Sequence, residues 1–233
     1  MRTLLTLAFW TFATPLAALI AFPWTLLRGN ADFLYAIAMR IVRTGMKISG
    51  VCARTVGLEQ LDLSRHYVFM SNHVSNLDPP LLVPALPRRT SVLVKKELFR
   101  VPVLGQAMRL ASLVPVDRSN REAAVASVRA AAEVLRRGLD MTVFPEGTRS
   151  RDGRLLAFKK GPFYLAAEAN APIVPVTILG TELLLPKGKF FLRPGEATIV
   201  FHSPIEPSAF SDQSQLIEAV RSAVGTALPE ERR

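Results

Sequence analysis

The chain has 233 residues, 49% of them hydrophobic, with a mean hydropathy of +0.25 and a formal net charge of +10. That length suits one α/β domain with an appendage, and the charge points to an anionic partner: nucleic acid, an anionic membrane or an acidic substrate. Aromatics make up 8% and no run interleaves them with Lys or Arg, which argues against a single-strand nucleic-acid platform; Cys52, the lone cysteine, excludes an internal disulfide and a cysteine-rich zinc site and fits a reducing compartment.

Residues 3–27 carry no charge, a run of 25. At about 1.5 Å per residue such a helix crosses a hydrocarbon core of roughly 30 Å. Pro15 and Pro23 interrupt the run, so a kinked span, a broken re-entrant pair and a straight helix all remain open. A cleaved signal peptide is a further reading, but the run is long for one and no small-x-small site ends it. Arg2 precedes it, whereas Arg28, Arg40, Arg43 and Lys47 follow; if the run spans, the positive-inside rule puts the C-terminal bulk in the cytoplasm.

Residues 31–49 read as an amphipathic helix. Phe33, Leu34, Ile37, Ile41 and Ile48 form its apolar side, and Arg40, Arg43 and Lys47 line up at spacings of three and four. A basic stripe beside an apolar face suits an anionic bilayer surface; an ordinary helix with solvated charges has the same pattern. The spacing therefore divides the chain into membrane-association helices over 1–52 and an α/β domain over 53–233.

From about residue 55, short β-rich runs alternate with helical ones, which predicts an α/β fold with a mixed, mainly parallel β-sheet flanked by helices. Strands are expected at 67–70, 91–95, 112–116, 141–144, 173–178 and 197–201. The stretch 187–201 reads as a hairpin turning at Arg193-Pro194-Gly195-Glu196. Helices are expected at 79–85, at 121–137 with Ser119 or Asn120 as cap and Gly138 as stop, at 163–170 and at 213–224.

Three stretches carry candidate chemistry. In Ser71-Asn72-His73-Val74-Ser75-Asn76-Leu77-Asp78-Pro79-Pro80 a histidine stands five positions before an aspartate. A carboxylate on one ring nitrogen fixes the tautomer and raises the basicity of the other. Asp78-Pro79 is equally a helix start, with Asp as N-cap and Pro in the first turn. In Phe144-Pro145-Glu146-Gly147-Thr148-Arg149, Gly permits close backbone approach and Arg presents a fork matched to phosphate or carboxylate. An ion pair of Glu146 with Arg149 on a basic surface loop is the alternative. Arg118 closes the run Val114-Pro115-Val116-Asp117, and Lys95 and Lys96 end another strand. If the strands are mainly parallel, His73, Lys96, Arg118 and Arg149 gather at one rim, where open α/β sheets bind ligands. His66 and His202 have no acidic residue at suggestive spacing and read as structural.

These residues resemble the motifs of the glycerolipid acyltransferases. Asn72-His73 with Asp78 is similar to that family's first motif, and residues 144–149 to its FPEGTR motif, in the same order. Arg118 matches the arginine ending the second motif, Val174-Pro175-Val176 resembles the fourth, and Lys95-Lys96-Glu97-Leu98 resembles a basic segment between the first two. The second motif departs from the family pattern: Ser112 and Pro115 stand where Gly and Phe are usual. The likeness covers roughly residues 65–180 and is strongest to lysophosphatidic acid acyltransferases of the bacterial single-domain type.

The resemblance implies transfer of an acyl chain from acyl-CoA or acyl carrier protein to the free hydroxyl of lysophosphatidic acid, giving phosphatidic acid. It implies no cofactor and no metal. His73 with Asp78 is then expected to be catalytic, and Asn72, Lys96, Arg118, Glu146, Gly147, Thr148 and Arg149 to bind substrate. The expected partners are an anionic phospholipid membrane, the lysophospholipid and the acyl donor, with no nucleic acid. The expected location is the cytoplasmic face of the inner cell membrane. Another lyso-lipid acceptor, or a non-catalytic membrane-binding protein, are the competing readings.

Overall fold

All four residues of the strand Val68–Ser71 are buried, as expected of a central strand covered on both faces. In this computed structural model, which describes residues 1–117 and 121–233, the chain runs α1 (Arg2–Arg28), α2 (Asp32–Ser49), β1 (Val51–Val56), β2 (Val68–Ser71), α3 (Asp78–Ala85), β3 (Thr90–Lys95), α4 (Leu104–Leu110), β4 (Val114–Val116), α5 (Arg121–Arg136), β5 (Asp140–Val143), α6 (Gly161–Glu168), β6 (Ile173–Leu179), α7 (Thr181–Leu184), β7 (Gly195–Phe201) and α8 (Gln213–Thr226). One seven-stranded sheet has the order β1-β7-β6-β2-β5-β3-β4. Every pairing is parallel except β6 with β7.

The two-residue period of β2 divides the core. Val68 and Met70 point to one face, against Ala131, Leu135, Phe163 and Val220 of α5, α6 and α8. Phe69 points to the other, with Tyr67 just before the strand, against Met46, Leu81, Leu82 and Leu184 of α2, α3 and α7. Side chains from both layers thus lock the register, because a slip of one residue would exchange the faces.

Four expectations are corrected. The hairpin over 187–201 does not form: residues 187–194 hold no strand, and β7 pairs antiparallel with β6, which is what makes the sheet mixed. The strand expected from Ser112 starts at Val114, because Ser112 sits at φ 64 in the turn that closes α4. Strand β1 was not expected at all; its mixed residues lie at the sheet edge, where one partner suffices. The cap assigned to Asp78 is also displaced, since Leu77 is the N-cap and Asp78 the first helical residue. Ser119 and Asn120, the expected cap of α5, lie outside the described residues.

Helix α1 stays continuous through Pro15 and Pro23 and packs against α2 as a helical hairpin. The Trp10 indole N–H donates to the Ile41 carbonyl oxygen at 3.3 Å. The ring lies so close to Gly45 that a Cβ there would stand 2.1 Å from the indole nitrogen. One end of α1 is tied to the β1/β7 edge, where the Leu192 N–H donates to Thr3 Oγ1. Toward its other end, Ala21 and Phe22 pack with Leu34 and with Leu110, which leads into β4 at the opposite edge. The helix therefore crosses the whole sheet. Replacing Gly45 by Val should lower stability by about 1–3 kcal/mol by forcing Trp10 out of its seat. Limited proteolysis should then cut the 29–31 connection faster than in the wild type.

Candidate active site

The parallel strands β2, β5 and β3 end on one rim, and each delivers a candidate side chain there. His73 follows β2, residues 144–149 follow β5, and Lys96 follows β3. The chain turns back from β2 into α3 within six residues, and this tight loop places His73 against Asp78.

Asp78 is fully buried. Its Oδ2 accepts from His73 Nδ1 at 2.7 Å and from the backbone N–H groups of Val74 and Ser75 at 2.7 and 2.8 Å. Its Oδ1 accepts from the Thr181 hydroxyl at 2.5 Å. With backbone N–H groups and a hydroxyl as its other donors, Asp78 acts as an acceptor throughout, and Nδ1 carries the His73 proton. That leaves Nε2 as the acceptor, with no protein partner among the described residues. The His73 side chain is 16% exposed against 0% for Asp78, so the ring reaches the rim while its carboxylate stays dry. Phe144 stacks on the imidazole, centroids 4.3 Å apart at 29°, and fixes its plane.

Glu146 grips the same residue from behind. Its Oε1 accepts from the His73 backbone N–H at 2.7 Å and its Oε2 from that of Leu156 at 3.3 Å. Burial pushes its carboxyl up to about 7 against the pull of these two donors, and the Asp78 charge adds to the rise. The alternative reading of this loop, an ion pair of Glu146 with Arg149, does not form. The Ser150 N–H donates to the His73 carbonyl oxygen at 2.8 Å, so both backbone groups of the histidine are bound by the β5 loop.

The other candidates divide. The Asn72 amide is buried and exchanges two hydrogen bonds with the Ile178 backbone, at 2.9 and 2.7 Å, stitching the end of β2 to β6. Gly147 adopts φ 69, a left-handed conformation, and a Cβ there would press on Lys159 at 2.8 Å. Thr148 is exposed and Arg149 half-buried at the mouth. The Arg149 carbonyl oxygen accepts from Lys187, so Lys187 and Lys159 enlarge the basic rim. Lys96 stands two strand spacings from β2, about 10 Å away, and pairs with Asp117. Arg118 lies outside the described residues. Val174 and Val176 are buried in β6 beside β2, so the fourth stretch supports the rim from within the core.

Sequence reasoning missed Thr181 and Ser75. Thr181 stands 103 residues from its partner Asp78, and no local pattern announces it. The Ser75 hydroxyl donates to the Leu185 carbonyl oxygen at 2.8 Å and ties the histidine loop to α7. His66 does meet a carboxylate: its Nδ1 lies 3.3 Å from Asp140 Oδ1 at the start of β5. The Tyr67 N–H and Arg88 also bind Asp140, which makes this a structural cluster at the far rim. His202 bonds Thr177 at 2.8 Å, and burial pushes its imidazole down toward the neutral form.

The raised Glu146 value has a thermodynamic consequence. Folded, the carboxyl keeps its proton up to about pH 7; its ordinary value is 4.5. The folded state thus binds more protons between those limits, and stability falls as pH rises from about 4.5 through about 7, then levels. In Glu146→Gln this component should vanish. Thermal unfolding in detergent at pH 5 to 8 should show the wild type losing at most about 3 kcal/mol relative to the variant.

A family model described as acyltransferase matches residues 52–179. The chain is 32% identical over 219 residues to a 1-acyl-sn-glycerol-3-phosphate acyltransferase of Cocos nucifera, covering 92% of this chain and 70% of that protein. It is 38% identical over 192 residues to the enzyme of the same name from Limnanthes douglasii, covering 82% of this chain and 66% of that protein. The chain therefore spans about two thirds of the length of these plant relatives. Among solved structures, the 1-acyl-sn-glycerophosphate (LPA) acyltransferase PlsC from Thermotoga maritima superposes with a TM-score of 0.77 at 29% identity, covering 97% of this chain and 95% of that one. The matched segment takes in the His73–Asp78 pair, the loop of residues 144–149 and five strands of the sheet, and on that ground the chain belongs to the acyltransferase family.

Proposed function

We propose that this protein transfers a fatty acyl chain from a thioester, on coenzyme A or acyl carrier protein, to the free hydroxyl of lysophosphatidic acid, giving phosphatidic acid. The observation that carries this reading is the 2.7 Å His73–Asp78 contact, with Nε2 open on the rim that holds Arg149. Nε2 takes the hydroxyl proton as the oxygen attacks the thioester carbonyl. The C–O bond forms, the tetrahedral intermediate collapses, the C–S bond breaks, and the proton on Nε2 passes to the leaving thiolate. Asp78 holds the ring in the productive tautomer and stabilises the transient imidazolium. No covalent acyl-enzyme is required, and Cys52 lies on edge strand β1, three strand spacings or about 14 Å from β2. Arg149, with Lys187 and Lys159 beside it, supplies the charge that binds the acceptor phosphate. Asn72, Glu146 and Gly147 serve by positioning, since the first two are buried with their polar atoms occupied.

The acceptor and product are lipids, and the helical hairpin supports a membrane seat for the site. Helix α1 is about 40 Å long by its rise per residue and is tied to both edges of the sheet. A perpendicular span would carry the polar α/β domain into hydrocarbon, so α1 lies in the plane of the leaflet, in the monotopic manner. Leu16, Leu19, Ile20, Leu26 and Leu27 present its exposed apolar side. Beside the catalytic rim, Phe190 and Phe191 are 60% and 66% exposed, in the loop that Thr3 anchors. The net charge of +10 favours the anionic, cytoplasmic leaflet.

Replacing His73 by Ala should reduce thiol release from acyl-CoA to below about 1% of wild type while the protein stays folded and membrane-bound. Retained turnover would remove the base assignment. Arg149→Ala should raise the KM for lysophosphatidic acid about tenfold or more and leave the donor KM unchanged. Both are read in an acyl-transfer assay across a panel of lyso-lipid acceptors with each donor. Preference for an acceptor lacking the phosphate monoester would favour the other lyso-lipid reading, to which the Ser112 and Pro115 departures point.

A further inference from the structure

A cleft of about 490 Å³ opens between α2 and the connection from α3 to β3. One wall is the stripe of Arg40, Arg43 and Lys47, spaced three and four along α2; the other carries Arg88 and Arg89. No carboxylate lines it. Two of the five cations are compensated from outside the cleft, Arg88 by Asp140 at 3.1 Å and Arg89 by Asp32 at 3.0 Å. Arg43 donates to the Pro84 carbonyl oxygen, which leaves its charge unneutralised. Arg40 and Lys47 have no hydrogen-bond or ion-pair partner among the described residues. Three uncompensated positive charges therefore face one space, and such convergence is unfavourable until an anion enters.

The cleft is separate from the catalytic rim. Arg88 and Arg89 immediately precede β3, and Asp140 opens β5, so these groups stand at the starts of the parallel strands. His73 stands past the end of β2, and that strand alone spans about 13 Å. A phosphate beside Arg40, Arg43 and Lys47 is thus not the one that Arg149 is placed to hold. The volume accommodates a phosphate head group with room to spare. Its α2 wall also packs beside α1, whose outer side is apolar, so the stripe lies about one helix diameter, roughly 10 Å, from α1. That is the step from acyl chains to phosphates at a bilayer surface for a helix lying in its plane.

We propose that the cleft between Arg40, Arg43 and Lys47 of α2 and the Arg88-Arg89 turn is a second, non-catalytic phosphate site, filled by a phospholipid head group or by a free phosphate monoester. Arg40, Arg43 and Lys47 supply the open charge from α2; across from them the terminal nitrogens of Arg88 and Arg89 are bound to Leu63, Arg65, Asp140, Asp32 and Ala111, and only the buried Nε of each lacks a partner.

The test uses the full chain with Arg149→Ala as background, so that the catalytic rim is silent and failure of the acceptor reading is not mistaken for failure of this one. On it, Arg40→Gln/Lys47→Gln is compared with Arg136→Gln/Arg137→Gln, which removes the same charge from the C-terminal end of α5 and the residue after it, on the opposite face of the sheet. Co-flotation is measured with phosphatidylcholine vesicles and with vesicles in which one lipid in five is phosphatidic acid. Thermal shift is measured with inorganic phosphate and with glycerol 3-phosphate. The expected result is that the α2 variant loses about tenfold of the gain in affinity that phosphatidic acid confers. The α5 variant should keep that gain, and all chains should bind neutral vesicles alike. Loss in the vesicle arm, with or without a lost thermal shift, assigns a lipid head group; loss of the thermal shift alone assigns a free phosphate. The proposal is overturned if the two variants behave alike in both arms, or if the α2 variant also detaches from neutral vesicles.

Discussion

A carboxylate removed from water must find its hydrogen bonds in the protein, and Asp78 finds four, from His73, Val74, Ser75 and Thr181. A second buried carboxylate, Glu146, binds the backbone N–H of the same histidine. His73 is therefore fixed at its ring by one acid and at its main chain by another. The two acids are bound differently. Asp78 has four donors, whereas Glu146 has two, and burial raises the Glu146 carboxyl to about 7. The arrangement leaves one free basic nitrogen at the surface of an otherwise dry cluster, which is the condition for drawing a proton from a hydroxyl.

That cluster exists because three parallel strands end together. The loops after β2 and β5 meet through the Glu146 carboxylate and the Ser150 N–H, and α7, after β6, contributes Thr181 and the Leu185 carbonyl. Asn72 performs the same task one layer deeper, where its amide continues the ladder between β2 and β6. Glycine at 147 is demanded by both backbone and space, since the position has φ 69 and lies against Lys159. The opposite ends of these strands carry a parallel arrangement of different use, in which Asp140 gathers His66, the Tyr67 N–H and Arg88. There the Arg88 guanidinium neutralises the acid.

The helical hairpin is fastened to the domain that carries the site. Gly45 lets Trp10 sit against α2, and α1 is fastened near both edges of the sheet. A long apolar helix held this way has no freedom to stand upright while the domain stays in water. Its orientation follows from tertiary attachment and not from its hydropathy, which would suit a spanning helix equally well. The basic cleft on α2 follows from the same attachment, because only the packing of α2 against α3 brings Arg88 and Arg89 opposite Arg40 and Lys47.

Short segments were enough to read the α/β class, six of the seven strands to within two residues and the His73–Asp78 pair, and to carry the resemblance to the acyltransferase motifs, since hydrophobic patterns and a five-residue spacing are local properties. Strand β1 escaped notice because an edge strand needs only one partner and no continuous apolar run. The hairpin was misread because a Pro-Gly turn signal does not say which strand the chain joins next. Nor does any local rule bring Thr181 to Asp78, Ile178 to Asn72, or Lys187 to Arg149 across 103, 106 and 38 residues. The sequence by itself determined which groups are chemically able to act. The tertiary structure alone decided which of them are buried as supports, which one nitrogen is left free among the described residues, and how the apolar helix lies against the domain, because each of these depends on what distant segments place around a group rather than on the group itself.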